Sequence, residues 1–297
     1  MQSRRTDLAV EIKQSIQDVE GVREENEEKR GIKINRVYIT SDEAAEKFGK
    51  EKGVYVTVDF DGAFSEDAIY SAAVEVIAEE IKMMGGADIC PALVVGLGND
   101  DLTSDALGPL TSDGLIVTRH LKTYAKNLYD NLRLGDVASI IPGVLGKTGI
   151  ESAEIVKAAA EKITPKTIII IDALAARQMK RLCSTVQISN TGIRPGSGVG
   201  NARTELTKDS VGTPVISIGI PTVVDAFTLA LDIVQNIGEE DCRRISAAMS
   251  PYEKNLIVTP KDIDSLVIKC AKLLSSSLNK VFHPYISEEE IRMLTEN

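Results

Sequence analysis

The pattern of hydrophobic and polar positions divides the chain into two parts, and the first is short and mixed. Apolar and polar residues alternate in Lys33–Thr40 and in Gly53–Phe60, which predicts two strands with one exposed face. Between them, Ser41 and Asp42 provide the start signal of a short helix, Ser41–Gly49. We therefore predict a small N-terminal α+β elaboration that covers residues 8–62.

From Ala92 onward, short apolar runs without polar alternation are separated by stretches with helical spacing. Uninterrupted runs such as IIII and VISIGI are typical of parallel strands that are covered on both faces. The predicted strands are Leu93–Leu97, Ala138–Ile141, Thr167–Ile171, Thr185–Ile188, Pro214–Ile220 and Leu256–Thr259. The predicted helices are Ser65–Met84, Ala106–Leu132, Gly149–Lys162, Thr222–Gln235 and Pro260–Val281. This order predicts an α/β domain over residues 63–297, with a mostly parallel sheet covered by helices on both faces.

Composition narrows the class of protein. The chain has 297 residues, of which 43% are hydrophobic, so it can bury a substantial core. Its net charge of −10 is spread along the chain and would repel phosphate backbones, which argues against nucleic acid as a direct partner. The N-terminus lacks the apolar stretch of a secretory signal, and no run reaches the roughly 18 to 20 apolar residues of a membrane span. A cytoplasmic protein without membrane contact is therefore predicted.

Cysteine and histidine offer little material for metal or nucleophile chemistry. The four cysteines are far apart and form no CxxC pair, which is typical of reduced, buried thiols. Only two histidines are present, His120 inside a predicted helix and His283 near the C-terminus. Zinc sites and nucleophilic triads use one to three histidines, so we predict neither a metal site nor a cofactor.

In a doubly covered sheet, catalytic groups lie where strands end at their carboxyl edges. Asp172 follows the run Thr167–Ile171 directly, and Asp105 lies in the loop before a predicted helix. A carboxylate at the end of a buried strand is partly desolvated and can share a proton with a second carboxylate, and such a pair can activate water. Asp105 could instead cap the helix, and Asp172 could cap a loop. Spacing alone does not show that the two side chains meet.

Three glycine-containing segments are candidates for ligand-binding loops. VVGLGNDD is not a dinucleotide loop because Asp101 replaces the third glycine, and PGVLGKT is not a phosphate loop because Ile141 replaces the first. The long stretch Thr191–Asn201 fits either a binding loop or a surface loop, and Arg194 is its best candidate for substrate contact.

Four separated motifs carry a family resemblance. They are GLGNDDLTSDALGP (residues 96–109), IIIIDALAAR (168–177), TGIRPGSGVGN (191–201) and IGIPTVVDA (218–226), with PGVLGKTGIE (142–151) between the first two. In this order they resemble the germination proteases, also called spore proteases, of endospore-forming bacteria. The first two motifs are also similar to those of the hydrogenase maturation endopeptidases, whose fold this resemblance implies.

The resemblance implies an endopeptidase, a hydrolase of atypical aspartic type, that degrades small acid-soluble spore proteins in the spore core at germination. The family's essential aspartates fall on Asp105 and Asp172. A self-processing zymogen is implied too, with residues 1–7 as propeptide and cleavage between Asp7 and Leu8. A homotetramer is the implied assembly. The region 232–255 is short and divergent for this family.

Four residues are predicted to contact the substrate. Arg177 and Arg194 would suit a substrate with an acidic residue before the cut, because a charge-assisted contact would orient it. Asn99 and Asn201 are the two further candidates. Two alternatives stay open: a metal-assisted endopeptidase with Asp105 and Asp172 as ligands, as in the maturation enzymes, and a carrier that binds without cleaving.

Overall fold

The computed structural model describes residues 5–16, 19–86, 88–194, 204–234, 244 and 256–286. The strands in these residues form one mixed sheet in the order β1-β2-β3-β7-β8-β6-β4-β5, and β9 pairs with β8. The strands are β1 (Val22–Lys29), β2 (Ile32–Ile39), β3 (Gly53–Asp59), β4 (Ala92–Gly96), β5 (Val137–Ile140), β6 (Thr167–Ala176), β7 (Thr185–Ser189), β8 (Val215–Asp225) and β9 (Ile257–Val258).

Helices flank this sheet. They are α1 (Ala9–Ser15), α2 (Asp42–Phe48), α3 (Asp67–Gly85), α4 (Leu107–Asp113), α5 (Leu121–Tyr124), α6 (Lys126–Asn131), α7 (Leu145–Thr148), α8 (Ser152–Ile163), α9 (Lys208–Val211), α10 (Ala226–Val234) and α11 (Ile263–Phe282). Two 3-10 turns, Thr103–Asp105 and Met179–Arg181, complete the described elements. The predicted helices at 65–84, 149–162 and 260–281 are found within a few residues of their expected ends.

The parallel part of the sheet is buried on both faces, as the apolar runs predict. Strands β5, β4, β6 and β8 pair in parallel. Ile169 and Ile171 of β6 pack in the core cluster that contains helices α3 and α11, whereas Ile168 and Ile170 pack with helix α8 on the other face. Side chains alternate across a strand, so a run of four isoleucines supplies two to each layer. The predicted α/β class with helices on both faces is confirmed.

The other part of the sheet is antiparallel, which corrects the prediction for Thr185–Ile188. Strand β7 runs antiparallel to both β3 and β8. All five of its residues, TVQIS, are buried, so no alternation of exposed and buried positions marks the strand as antiparallel. Burial on both faces, rather than strand direction, removes that alternation.

Strand β1 was not predicted, because its sequence VREENEEK lacks an apolar alternation. It forms a hairpin with β2 through a two-residue turn at Arg30 and Gly31, whose φ angles are 54° and 79°. Two positive φ angles in a two-residue turn match the twist of the flanking strands. Through β3 and β7, this N-terminal hairpin joins the same sheet as the parallel strands.

The single helix predicted for Ala106–Leu132 is wrong, because it is broken into α4, α5 and α6. The chain leaves α4 at Gly114, where a Cβ would come within 2.6 Å of the Ser275 hydroxyl. The N–H of Ile116 then donates to Asn279 of α11, and the N–H of Thr118 donates to Val137 of β5. These tertiary hydrogen bonds replace the helical ones.

The helix predicted for Thr222–Gln235 begins later, at Ala226. Strand β8 continues through Pro221 to Asp225, with a shift in register beside Leu174 of β6. Proline has no N–H to donate, and an irregularity in the ladder accommodates it. The extension keeps Thr222 in the sheet, beside the site described next.

Candidate active site

A cavity of about 790 Å³ opens where strand β4 ends beside β6, and both predicted catalytic aspartates line it. The chain leaves β4 at Gly96, which pairs with Ile171, and the N–H of Leu97 makes the next bond to the Ile171 carbonyl. The cavity therefore occupies the kind of position at which doubly covered sheets bind ligands. Residues from the N-terminal part of the chain, in and after α2, also line it.

Asp172 lies inside strand β6 and not at its end, because β6 continues to Ala176 and pairs with β8 along this length. On its other side, β4 has already left the sheet, which exposes Asp172 to the cavity. The side chain is nearly buried, at 6% relative exposure, and its Oδ1 accepts a 2.9 Å hydrogen bond from the Ala173 N–H.

Asp105 is held by the loop that follows β4. Its Oδ2 accepts a 3.0 Å hydrogen bond from the Asn99 N–H, and its carbonyl accepts a 3.1 Å bond from the same group. Gly98 makes this possible: its φ is 124°, and a Cβ there would lie 1.9 Å from the Asp105 carbonyl oxygen. Helix α4 has Ala106 as N-cap without a side-chain cap bond, so Asp105 does not cap it.

Close backbone packing fixes the turn that carries Asp105 over the end of β6. A Cβ on Gly108 would lie 2.1 Å from the Leu97 carbonyl oxygen and 2.7 Å from that of Ile171, so only glycine allows α4 to approach this closely. The Thr222 hydroxyl donates a 2.6 Å bond to the Ser104 carbonyl oxygen. These contacts place Asp105 and Asp172 in the lining of one cavity.

The predicted substrate-contacting residues lie in different places. Asn99 and Arg194 line the cavity, but the Arg194 guanidinium is paired with Glu51 at 3.1 Å and Glu205 at 2.6 Å. Arg177 is not in the lining; its Nε contacts both carboxylate oxygens of Asp232 at 2.8 and 2.9 Å. Asn201 lies outside the described residues, as does most of the divergent region 232–255.

The predicted cleavage segment enters the same cavity. Asp7 lines it, and the Asp7 N–H donates to the Ala175 carbonyl at 2.8 Å while the Ala175 N–H donates to Asp7 Oδ2 at 2.8 Å. The Gln187 side chain donates to the Asp7 carbonyl at 2.9 Å and accepts from the Ala9 N–H at 2.7 Å. Leu8 is fully buried.

The cavity lining also contains residues that the sequence did not single out. Burial raises the pKa of Tyr55 to about 12, and the Tyr55 hydroxyl donates to the Glu51 carbonyl. Ser189 and Ser217 line the cavity and share a buried 2.7 Å hydrogen bond. Lys50 lines it as well. Polar residues in a helix-capping turn or in the middle of strands carry no pattern that distinguishes them from structural ones.

A family model of germination proteases matches residues 2–238 and 229–295. The chain belongs to the germination protease family. Curated members include that of Caldanaerobacter subterraneus subsp. tengcongensis, at 40% identity over 98% of this chain and 97% of the relative. The germination protease of Clostridium tetani is 38% identical over 97% of this chain and 98% of its own. That of Bacillus subtilis is 37% identical over 96% and 95%, respectively.

Among solved structures, the chain is similar to a NiFe hydrogenase maturation protease from Thermococcus kodakarensis, with 14% identity and a TM-score of 0.37. The match covers 68% of this chain and 98% of the other. In the described part of this germination protease family member, no helix is long and apolar enough to cross a membrane. Nor does any group of three His, Cys, Asp or Glu side chains in that part form a metal-ligating cluster.

Proposed function

We propose that this germination protease family member is an endopeptidase that begins the degradation of small acid-soluble spore proteins in the core of the germinating spore. The observation that carries the proposal is the presence of Asp105 and Asp172 in the lining of one cavity at the end of β4. Membership of the family supports a spore germination protease. The cavity supports the proposal because both candidate catalytic residues line it.

The proposed reaction is acid–base hydrolysis by the two aspartates. One carboxylate takes a proton from water, which attacks the scissile carbonyl carbon. The other, protonated, donates a hydrogen bond to the carbonyl oxygen, and proton transfer to the departing nitrogen completes the cleavage. Each proton transfer of this kind contributes about 10² to 10⁴ in rate. The proposal assigns these two roles to the pair and not to either residue alone.

Self-processing after Asp7 is part of the proposal. Asp7 pairs with Ala175, which is three residues beyond Asp172 on β6. Three residues of an extended strand span about 10 Å. Cleavage of the Asp7–Leu8 bond by the two aspartates therefore requires this segment to slide toward Asp172, or a second copy of the chain to cut it. The proposed homotetramer would supply that second copy.

The test uses the variants Asp105→Asn and Asp172→Asn, each incubated with a small acid-soluble spore protein, with fragments detected by mass spectrometry. Both should lose cleavage while unfolding at the wild-type temperature. Asp113→Asn is a matched control, because Asp113 is exposed at the end of α4 and outside the cavity lining. Full activity in Asp172→Asn would remove the mechanism, and binding without fragments in the wild type would favour the carrier.

The same two carboxylates also suit the metal-assisted alternative. Asp and Glu oxygens can ligate a catalytic metal, which would polarise the scissile carbonyl or activate water. Elemental analysis of the purified protein, together with a chelator assay, separates the two mechanisms: a stoichiometric metal and activity lost to chelator would support this alternative.

A further inference from the structure

We propose that Lys50 determines substrate specificity: its ammonium group and the backbone N–H of Ala175 form a subsite for the side-chain carboxylate of the residue that precedes the scissile bond. The inference rests on the proposed endopeptidase function and names the group that selects the substrate. Four observations support the inference: the position of Lys50, its surroundings, the presence of Asp7 in the subsite, and the ion pairs of Arg177 and Arg194.

The end of helix α2 directs Lys50 to the cavity. Gly49 adopts a left-handed conformation, with φ 60° and ψ 30°, and ends the helix. The Lys50 N–H then donates to the Ala45 carbonyl at 3.1 Å, which closes the turn. As a result, three consecutive residues, Gly49 to Glu51, line the cavity that Asp172 and Ala175 of strand β6 also line. The side chain is thus positioned by a helix cap rather than by a long loop.

The surroundings of Lys50 favour binding of an anion. Burial lowers the pKa of the Lys50 ammonium, Asp7 opposes this effect, and Arg194 adds to it. Among the described residues, no carboxylate forms an ion pair with Lys50. A partly desolvated ammonium without a paired carboxylate is costly, and a ligand carboxylate would offset that cost.

The protein's own Asp7 marks the place of that carboxylate. Asp7 lines the same cavity as Lys50 and Ala175, and its Oδ2 accepts the Ala175 N–H at 2.8 Å. Its backbone is held at the same time, by the Ala175 carbonyl at 2.8 Å and by Gln187 at 2.9 Å. An acidic peptide that replaced this segment could make the same three hydrogen bonds. The subsite would therefore bind a side-chain carboxylate and an extended peptide backbone at the same time.

The two arginines predicted to bind the substrate carboxylate, Arg177 and Arg194, already form ion pairs within the protein. Arg194, the other cation in the lining, is paired with Glu51 and Glu205. Arg177 is paired with Asp232, away from the lining. Of the two cations in the described cavity wall, Lys50 is therefore the one available to an incoming carboxylate.

The experiment measures how strongly the protein prefers an acidic residue before the scissile bond. Two synthetic peptides reproduce residues 3–12, one with Asp at the position of Asp7 and the other with Asn. Wild-type protein should favour the Asp peptide in kcat/KM by about tenfold or more, as expected for a charge-assisted hydrogen bond. Lys50→Gln should bring this ratio close to one by slowing cleavage of the Asp peptide only, and Lys50→Arg should retain most of it. Lys47→Gln, an exposed neighbour on α2, is the control.

The outcomes distinguish a failure of the subsite inference from a failure of the proposed endopeptidase function. If Lys50→Gln keeps the wild-type preference, the inference is wrong and the endopeptidase function stands. If the wild type cleaves neither peptide nor any spore protein, the function fails, and the subsite is tested by hydrogen exchange in the intact chain. The amides of Asp7 and Ala175 should then exchange faster in Lys50→Gln than in the wild type or Lys47→Gln. Unchanged exchange overturns the inference.

Discussion

The carboxylate of Asp105 accepts a hydrogen bond from the backbone N–H of Asn99, and the Asp105 carbonyl accepts from the same N–H. One N–H group thus fixes both the side chain and the backbone of the proposed catalytic residue. The bond joins the end of β4 to the turn before α4, so the position of Asp105 depends on the conformation of the short loop between them. Gly98 is the residue that permits this conformation.

Gly98→Ala should therefore displace Asp105. The added Cβ would meet the Asp105 carbonyl oxygen at 1.9 Å, and the φ of 124° would be strained for alanine. We expect a loss of about 1–3 kcal/mol in the free energy of unfolding. Peptide cleavage should fall about a hundredfold, as for a misplacement near 1 Å. Urea unfolding and kcat/KM on the Asp peptide measure the two effects.

Gly86→Ala provides the comparison for this prediction. Gly86 has a φ of 79°, but a Cβ there would meet nothing within 4 Å. Gly86→Ala should lower the free energy of unfolding because of backbone strain, but it should cleave the peptide at the wild-type rate. Equal cleavage by the two variants would show that the Gly98 loop does not position Asp105.

Glu11 anchors the N-terminal segment to the sheet, and Glu11→Ala should release it. The buried Glu11 carboxylate accepts the N–H groups of Arg177 at 2.7 Å and Gln178 at 3.0 Å, and it pairs with Arg181 at 3.5 Å. Removing one partner of a buried ion pair costs about 3–5 kcal/mol. Urea unfolding should show this loss. Glu20→Ala, at an exposed position, should change stability by less than about 0.5 kcal/mol. Similar losses in the two variants would contradict the anchoring role.

Stability should fall in mild acid because of His283. Burial lowers the pKa of this imidazole. Its Nδ1 accepts the Gly135 N–H at 3.3 Å, so Nε2 carries the proton and donates to the Ile116 carbonyl at 3.0 Å. The unfolded chain therefore binds a proton more readily than the folded one. The contribution of His283 is fully present above the unfolded pKa of about 6.5 and is lost as pH falls below it.

Urea unfolding at several pH values between 7.5 and 5 measures this effect. His283→Gln should be less stable at pH 7.5 but should lose less stability toward pH 5 than the wild type. His120→Gln, at an exposed position, should keep the wild-type pH dependence. An identical pH dependence in His283→Gln and the wild type would refute the assignment.

The described cysteines should resist alkylation in the folded protein. Burial raises the pKa of the Cys90 thiol to about 11, and a hydrogen bond with Cys183 together with burial raises that of Cys270. Since the thiolate is the reactive form, iodoacetamide at pH 8 should label Cys90 and Cys270 much more slowly than in urea-unfolded protein. Peptide mapping by mass spectrometry reads the result. Rapid labelling of Cys270 in the folded state would contradict its buried position.

The parallel core could be predicted from the sequence because its signal is local. The run Ile168–Ile171 is apolar without interruption, and only a strand covered on both faces buries all four side chains. Strand β1 could not be predicted, since its charged residues gain their structure from the hairpin with β2. The break after α4 was missed for a related reason: bonds from distant Asn279 and Val137 decide it.

The residues of the site likewise differ in how well the sequence predicts them. The position of Asp172 in the cavity lining could be predicted because it follows an apolar run, and that of Asp105 because it lies in the loop after another. Lys50 could not, because nothing in the sequence around α2 indicates that its C-terminal turn lines the same cavity as the residues that follow β4 and those of β6. Arg177 was predicted to contact an acidic substrate residue, but its guanidinium pairs with Asp232, and this pairing depends on the fold.

The complete burial of Leu8 gives the proposed cleavage after Asp7 a consequence beyond the loss of seven residues. The cut would convert an amide nitrogen into a positively charged amino terminus inside the protein. An ammonium group in such surroundings must acquire new acceptors or draw its helix toward solvent. Maturation would then reorganise the wall of the cavity, and the mature enzyme would differ from its precursor in the shape of the site as well as in length.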